Sequence, residues 1–145
     1  MFLESAGISR EGGAVADSTQ AATILLVEDE ERVREVMELT LSLSGYQVLS
    51  ARGALEALEI IEGYDDAIHL MVTDFAMPHM NGADLAARLK RVRPEAKVLY
   101  VSGFPKQDVQ SFHDRNARAG IEFLQKPFAP EELEEKVMAI LADET

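Results

Sequence analysis

From residue 23 onward, short unbroken apolar runs alternate with longer stretches in which apolar residues recur every three or four positions. The first run, Ile24-Leu25-Leu26-Val27, stops at Glu28-Asp29. Residues 30–44 then carry Val33, Val36 and Met37 at one-face helical spacing and are followed by Gly45, a helix stop. Residues 46–50 predict a second strand, and residues 54–62 a second helix ended by Gly63. Residues 69–73 predict a third strand running into Asp74, followed by a loop with Pro78 and Asn81-Gly82. A third helix is expected over residues 83–92, bounded by Pro94, and a fourth strand over 97–101. A more polar helix over 105–119, a strand over 121–124 and a helix over 130–142 complete the pattern. In the last helix Leu133, Val137, Ile140 and Leu141 share a face, and the glutamate-rich side is left to solvent.

Five strand–helix units in succession predict an α/β fold, a doubly wound parallel sheet with helices on both faces and right-handed crossovers. The near-continuous apolar strands fit a sheet buried on both sides. Residues 1–22 are rich in Gly, Ala and Ser, show no period, and read as a flexible leader or linker; residues 23–145 read as the folded domain. No separate output domain is expected within this stretch.

An open parallel sheet binds ligands beyond the carboxyl ends of its strands. Here those ends carry Glu28-Asp29, Asp74, Ser102 and Lys126. Carboxylates gathered at one edge repel by about 4 kcal/mol per pair at roughly 4 Å and an effective dielectric near 20. A hard divalent cation such as Mg²⁺ (or Mn²⁺) answers that charge through carboxylate oxygens, and Lys126 adds an ammonium. A cation, an ammonium and a serine hydroxyl around one carboxylate make a place for a phosphoryl group, whose transfer needs positioning and charge neutralisation. Asp74 stands at the centre of the edge as the candidate nucleophile.

The remaining composition narrows the classes. The chain has 145 residues, no cysteine and a net charge of −12. Thiol chemistry is thereby excluded, and direct binding to a nucleic-acid backbone is disfavoured. No apolar run reaches membrane-spanning length and the first residues lack a secretion signal, so a cytoplasmic setting without membrane contact is expected. His69, His79 and His113 show no ligand spacing, and Met71, Met77 and Met80 read as packing residues. Each site residue has an ordinary reading by itself: Glu28-Asp29 as acids at a helix start, Asp74 and Ser102 as turn residues, Lys126 as a surface lysine. The joint occurrence at successive strand ends is what points to chemistry.

The sequence resembles a response-regulator receiver domain over about residues 23–142. Ile24-Leu25-Leu26-Val27-Glu28-Asp29-Glu30 resembles the family's acidic pair after strand one. Thr73-Asp74-Phe75-Ala76-Met77-Pro78-His79-Met80-Asn81-Gly82 resembles its phosphoacceptor loop. Val101-Ser102-Gly103 and Lys126-Pro127-Phe128 resemble its hydroxyl and lysine–proline motifs, the latter with a cis-prone bond to proline. The resemblance implies a flavodoxin-like (βα)5 fold with strand order 2-1-3-4-5. It implies phosphorylation of Asp74 by a histidine kinase or phosphotransfer domain. Glu28, Asp29 and Asp74 would hold Mg²⁺ directly or through water, with the Ala76 carbonyl as a further ligand. Ser102 and Lys126 would contact the phosphoryl oxygens. Ser102 and Phe123 would form a switch that repacks the surface of helix four, strand five and helix five. The wording Leu-Leu-Val-Glu-Asp-Glu and Tyr-Val-Ser-Gly-Phe further resembles receivers attached to hybrid histidine kinases.

Three positions depart from the commonest pattern. Glu28 stands where Asp is usual, Ser102 where Thr is usual, and Phe123 where Tyr is frequent. Ala76 and Phe104, two residues past Asp74 and Ser102, cannot orient a hydrolytic water through their side chains, so a phosphorylated form that is not short-lived is expected. The chief alternative is a pseudo-receiver that acts by binding alone. A flavin-binding electron carrier would need a phosphate-cradling loop where this chain is acidic. An aspartyl-phosphate phosphohydrolase commonly carries a second acid where this chain has Ala76.

Overall fold

A computed structural model describes residues 21–110 and 122–142. Within them the chain alternates β1 (Thr23–Val27), α1 (Glu31–Leu43), β2 (Gln47–Ala51), α2 (Ala54–Gly63), β3 (Leu70–Asp74), α3 (Gly82–Val92), β4 (Lys97–Ser102), α4 (Lys106–Gln110), β5 (Glu122–Gln125) and α5 (Pro130–Ala142). All strand pairs are parallel, and the sheet runs β2-β1-β3-β4-β5. This is the expected flavodoxin-like order 2-1-3-4-5.

Strand residues alternate between two cores. Leu25, Val27, Met71 and Tyr100 face a layer closed by Ala57 and Ile61 of α2 and by Leu85 and Leu89 of α3. Ile24, Leu26, Val72 and Leu99 face a layer closed by Met37 and Leu41 of α1 and by Leu133, Val137 and Ile140 of α5. Full burial on both faces explains why the strands read as unbroken apolar runs. On α1 the expected face needs one correction: Met37 and Leu41 are buried, while Val36 is exposed.

Helix ends follow local chemistry. Gly45 takes a φ of 99°, its N–H donates to the Ser42 carbonyl, and the Tyr46 N–H reaches back to that of Leu41. That is a Schellman stop, which a left-handed glycine permits without steric cost. Asn81 caps α3 by accepting the Asp84 N–H at 2.8 Å. Glu132 accepts the Ala129 N–H at 2.7 Å, closing the start of α5.

The strands over 46–50 and 69–73 lie one residue further on than expected, at Gln47–Ala51 and Leu70–Asp74. Pairing decides this: Ala51 pairs with Val27, and Asp74 with Val101, so the ladder extends through polar and small residues that hydrophobicity alone leaves out. The fourth strand likewise includes Ser102, and the fifth is Glu122–Gln125. The later part of the predicted fourth helix, Ile121 and His113 lie outside the described residues, as does the leader apart from Ala21 and Ala22.

Two tethers hold the amino end of the sheet. Arg93, just past α3, donates to the carbonyls of Ile61, Tyr64 and Asp66. Lys97 Nζ donates to the Ile140 carbonyl at 2.9 Å, near the end of α5. The opposite end depends on Gly82: a Cβ there would lie 2.8 Å from the Asp74 carbonyl oxygen and 3.0 Å from Phe75 Cα, both main chain. Gly82→Ala should therefore destabilise the fold by about 1–3 kcal/mol. Urea denaturation should show a lower midpoint at unchanged slope, and an unchanged midpoint would mean that the loop yields freely.

Candidate functional site

The carboxyl ends of β1, β3 and β4 and the residue after β5 converge as the register requires. β1 lies beside β3, β3 beside β4, and β4 beside β5. Glu28 follows β1, and its main chain is fixed from two sides: its N–H donates to the Ala51 carbonyl at 3.1 Å, and its carbonyl accepts Arg34 Nη1 at 3.0 Å. Its side chain is 1% exposed and Asp74's is 11% exposed. Asp29 is exposed. One ligand oxygen from each of these three acids lies within 4.8 Å of the others, the single such cluster among the described residues.

Lys126 reaches into this cluster. Its ammonium lies 2.9 Å from Glu28 Oε1 and 3.1 Å from Asp74 Oδ1. The cis peptide bond between Lys126 and Pro127 follows directly, and the Lys126 N–H donates to the Ser102 carbonyl at 2.8 Å. Ser102 is buried, and its hydroxyl oxygen accepts the Phe104 N–H at 2.9 Å.

Residues 24–138 match the response regulator receiver domain. The chain belongs to this family. The receiver domain is 36% identical over 125 residues to the sensor kinase CckA of Brucella abortus (strain 2308), covering 86% of this chain and 13% of that kinase. It is 29% identical over 118 residues to the response regulator receiver protein CpdR of the same organism, covering 81% of this chain and 95% of CpdR. Several transcriptional regulators are matched over about half of their length. A crystal structure of the receiver domain from the hybrid histidine kinase CckA matches with a TM-score of 0.69 at 33% identity, covering 83% of this chain and 99% of that one. The family is a signalling module of two-component systems.

Of the sequence-predicted residues, the receiver brings Glu28, Asp29, Asp74 and Lys126 together. Ser102 ends the neighbouring strand, its oxygen turned to the Phe104 N–H. Ala76 is exposed in the loop after Asp74. Phe123 is half-buried against the core on the α2–α3 side and paired with Tyr100. Sequence reasoning missed Arg34 and Thr73, which act on main-chain carbonyls: Arg34 on Glu28, and Thr73 Oγ1 on Asp74 at 2.9 Å. A partner that is a carbonyl leaves no trace in residue types. His79, with a φ of 76°, lines an adjoining cleft of about 420 Å³ together with Asp29, Arg52 and Pro78. His69 also has a structural role, accepting the Thr23 N–H on Nδ1 at 2.9 Å. No helix among the described residues is long and apolar enough to cross a membrane.

The electrostatics are those of an overfilled acidic pocket. Asp74 is pushed up to about 7, first by burial and then by the Glu28 carboxylate, with Lys126 opposing both. Burial lowers Lys126, but its hydrogen bond to Glu28 and the Asp74 charge outweigh that and raise it. A lone ion pair would drive its two members in opposite directions. Here both rise: Asp74 through burial first and the Glu28 carboxylate second, Lys126 through its two carboxylate partners. This excess of buried negative charge is what a divalent cation would relieve.

Asp74 titrates near 3.8 when unfolded and near 7 when folded. Between those values the folded receiver holds a proton that the unfolded chain has released, so this group's contribution to stability falls as pH rises from about 4 to 7. Asp74→Asn should thus stabilise the receiver in chelator by about 1–4 kcal/mol at pH 7.5. The gain should shrink toward pH 4 and narrow on adding Mg²⁺. Thermal melts of the two proteins across pH would show it, and an equal gain at all pH values would contradict the assignment.

Proposed function

We propose that this receiver accepts a phosphoryl group on Asp74 from a phosphohistidine of a histidine kinase or phosphotransfer domain, and that the acyl phosphate alters its output surface. The observation that carries this reading is the Lys126 ammonium, 3.1 Å from Oδ1 of a buried aspartate at a strand's carboxyl end.

A carboxylate oxygen of Asp74 attacks phosphorus. The P–N bond of the donor breaks, its electron pair leaves with the imidazole nitrogen, and an O–P bond forms. Lys126 is placed to follow the charge from the Asp74 oxygen onto a phosphoryl oxygen. The Ser102 hydroxyl, whose oxygen already accepts an N–H, can turn its proton to another. Glu28, Asp29 and Asp74 would hold Mg²⁺ or Mn²⁺ directly or through water, with the Ala76 carbonyl in support. Such an ion would neutralise charge on the phosphoryl oxygens. The domain thus catalyses only its own phosphorylation and dephosphorylation. Residues 1–22 serve as a leader or linker to the domain over 23–145, and the setting is cytoplasmic, without direct nucleic-acid contact. Ser102 and Phe123 act as the switch. With no phenolic hydroxyl on Phe123, its movement depends on packing against the Tyr100 side of the core.

Incubation with acetyl phosphate and Mg²⁺ should add one phosphoryl group to the intact mass. The addition should disappear in Asp74→Asn and in chelator, and Lys126→Ala should slow it by about 10²-fold or more. A folded protein that takes no phosphate from either acetyl phosphate or a purified kinase would instead be a binding-only pseudo-receiver. Because Ala76 and the half-exposed Phe104 offer no side-chain hydrogen bond to a water, the phosphorylated form should persist. Introducing Asn or Glu at position 76 should shorten its half-life by about tenfold, as followed by mass after removal of the donor.

A further inference from the structure

Charge is divided between two neighbouring helices on the side of the sheet away from α1 and α5. Every charged residue between positions 53 and 68 is acidic, and every charged residue between 85 and 93 is basic. These spans are α2 with the turn after it, and the greater part of α3. The two helices close the same core layer and pack against each other. Arg93 donates to the carbonyls of Ile61, Tyr64 and Asp66, which sets the end of α3 level with the end of α2. Glu59, Glu62 and Asp65 on one side and Arg88, Lys90 and Arg91 on the other are all exposed. Among the described residues none of these six enters an ion pair. Leu55 and Val92 are exposed on the same two helices and add apolar surface.

We propose that this face binds a second copy of the chain, with α2 of each copy laid over α3 of the other. A two-fold axis in the plane of contact and parallel to the helices carries the acidic helix of one copy onto the basic helix of the next, and does so twice. The face is thereby complementary to itself, whereas an axis across the helices would set like charge on like. A wholly acidic or wholly basic partner would meet repulsion over half of the face, so a second copy is the occupant that fits. The same axis leaves the carboxyl edges of both sheets, each with its Asp74, at one end of the pair. α1 and α5 lie on the opposite side of the sheet and stay uncovered. The pairing thus needs no phosphorylation and goes beyond the receiver reading. Repulsion between two acidic chains is screened beyond about 8 Å at physiological salt, so the charges in contact decide the outcome.

The test is sedimentation equilibrium of the full chain at physiological salt, without phosphodonor. A face two helices wide is at the small end of specific interfaces, so the pair should form with a dissociation constant of about 10–100 µM. Two charge-reversed proteins then locate it. One carries Arg88→Glu, Lys90→Glu and Arg91→Glu, and the other carries Glu59→Lys, Glu62→Lys and Asp65→Lys. Each alone sets like charges together at both contacts and should weaken pairing by about tenfold or more. Mixed in equal amounts, they set opposite charges together at both contacts, and a one-to-one pair should form at least as tightly as the wild-type pair. Circular dichroism would establish folding, and all reversed side chains are exposed. Should a triple variant fail to fold, Arg91→Glu and Glu59→Lys repeat the same crossing with one charge each, with a loss of about threefold or more alone and recovery on mixing. A wild-type chain that stays monomeric up to about 500 µM would overturn the proposal. So would wild-type pairing that the reversals leave unchanged, which would place the contact on another face. Folded variants that remain apart when mixed would overturn it as well, because the loss would then not come from opposed charges.

Discussion

One ammonium shared between two buried carboxylates sets the character of this domain. Lys126 stands at hydrogen-bonding distance from both Glu28 and Asp74, and neither acid is accessible enough for water to neutralise it. The local balance stays negative and Asp74 is held near neutrality in its titration. A structure that keeps such a pocket must hold the participating strand ends firmly, since a small separation would strand a charge in a poor dielectric.

The sheet supplies that firmness. Parallel pairing brings the ends of β1, β3 and β4 level, and two fully apolar layers fix the strands from both sides. The main chain is pinned at the points where it matters: Glu28 by Ala51 and Arg34, Asp74 by the Thr73 hydroxyl on its carbonyl, Lys126 by Ser102. Gly82 lets α3 begin against the main chain of Asp74 and Phe75, so the loop after Asp74 is packed from beneath. The chemistry is at the surface of the edge, but its geometry is decided by buried backbone.

Much of this was legible in the sequence, for a reason that can be traced. Ile24-Leu25-Leu26-Val27 and Val98-Leu99-Tyr100-Val101 are apolar because both faces are covered, and each run stops where the sheet ends, so the acids, Ser102 and Lys126 mark the edge. Hydrophobicity blurs where pairing continues through a polar or small residue, as at Ala51, Asp74 and Ser102, and the strand ends were read one residue short there. Periodicity also favoured Val36, which lies on the outward side of α1. What no pattern carried were contacts from side chain to carbonyl: Arg34, Thr73 and the three carbonyls gathered by Arg93. The engagement of the two Glu28 oxygens by the Lys126 ammonium and the Glu30 N–H was equally silent, because residue type gives length and charge but not which oxygen meets which donor.

The tethers at the far end of the sheet give the molecule a polarity of another kind. Helices that run back across a parallel sheet point their amino ends, with partial positive charge, toward the acidic edge, and leave their carbonyl ends at the base. At that base Arg93 and Lys97 collect the carbonyls ending α2 and α5. The domain therefore has two unlike ends: an acid cluster around one lysine at the top, two side-chain cations bound to helix carbonyls at the bottom, and peptide dipoles aligned between. Charge added at the upper end is felt first by groups already oriented toward it, while the lower end, tied by main-chain carbonyls, keeps its form.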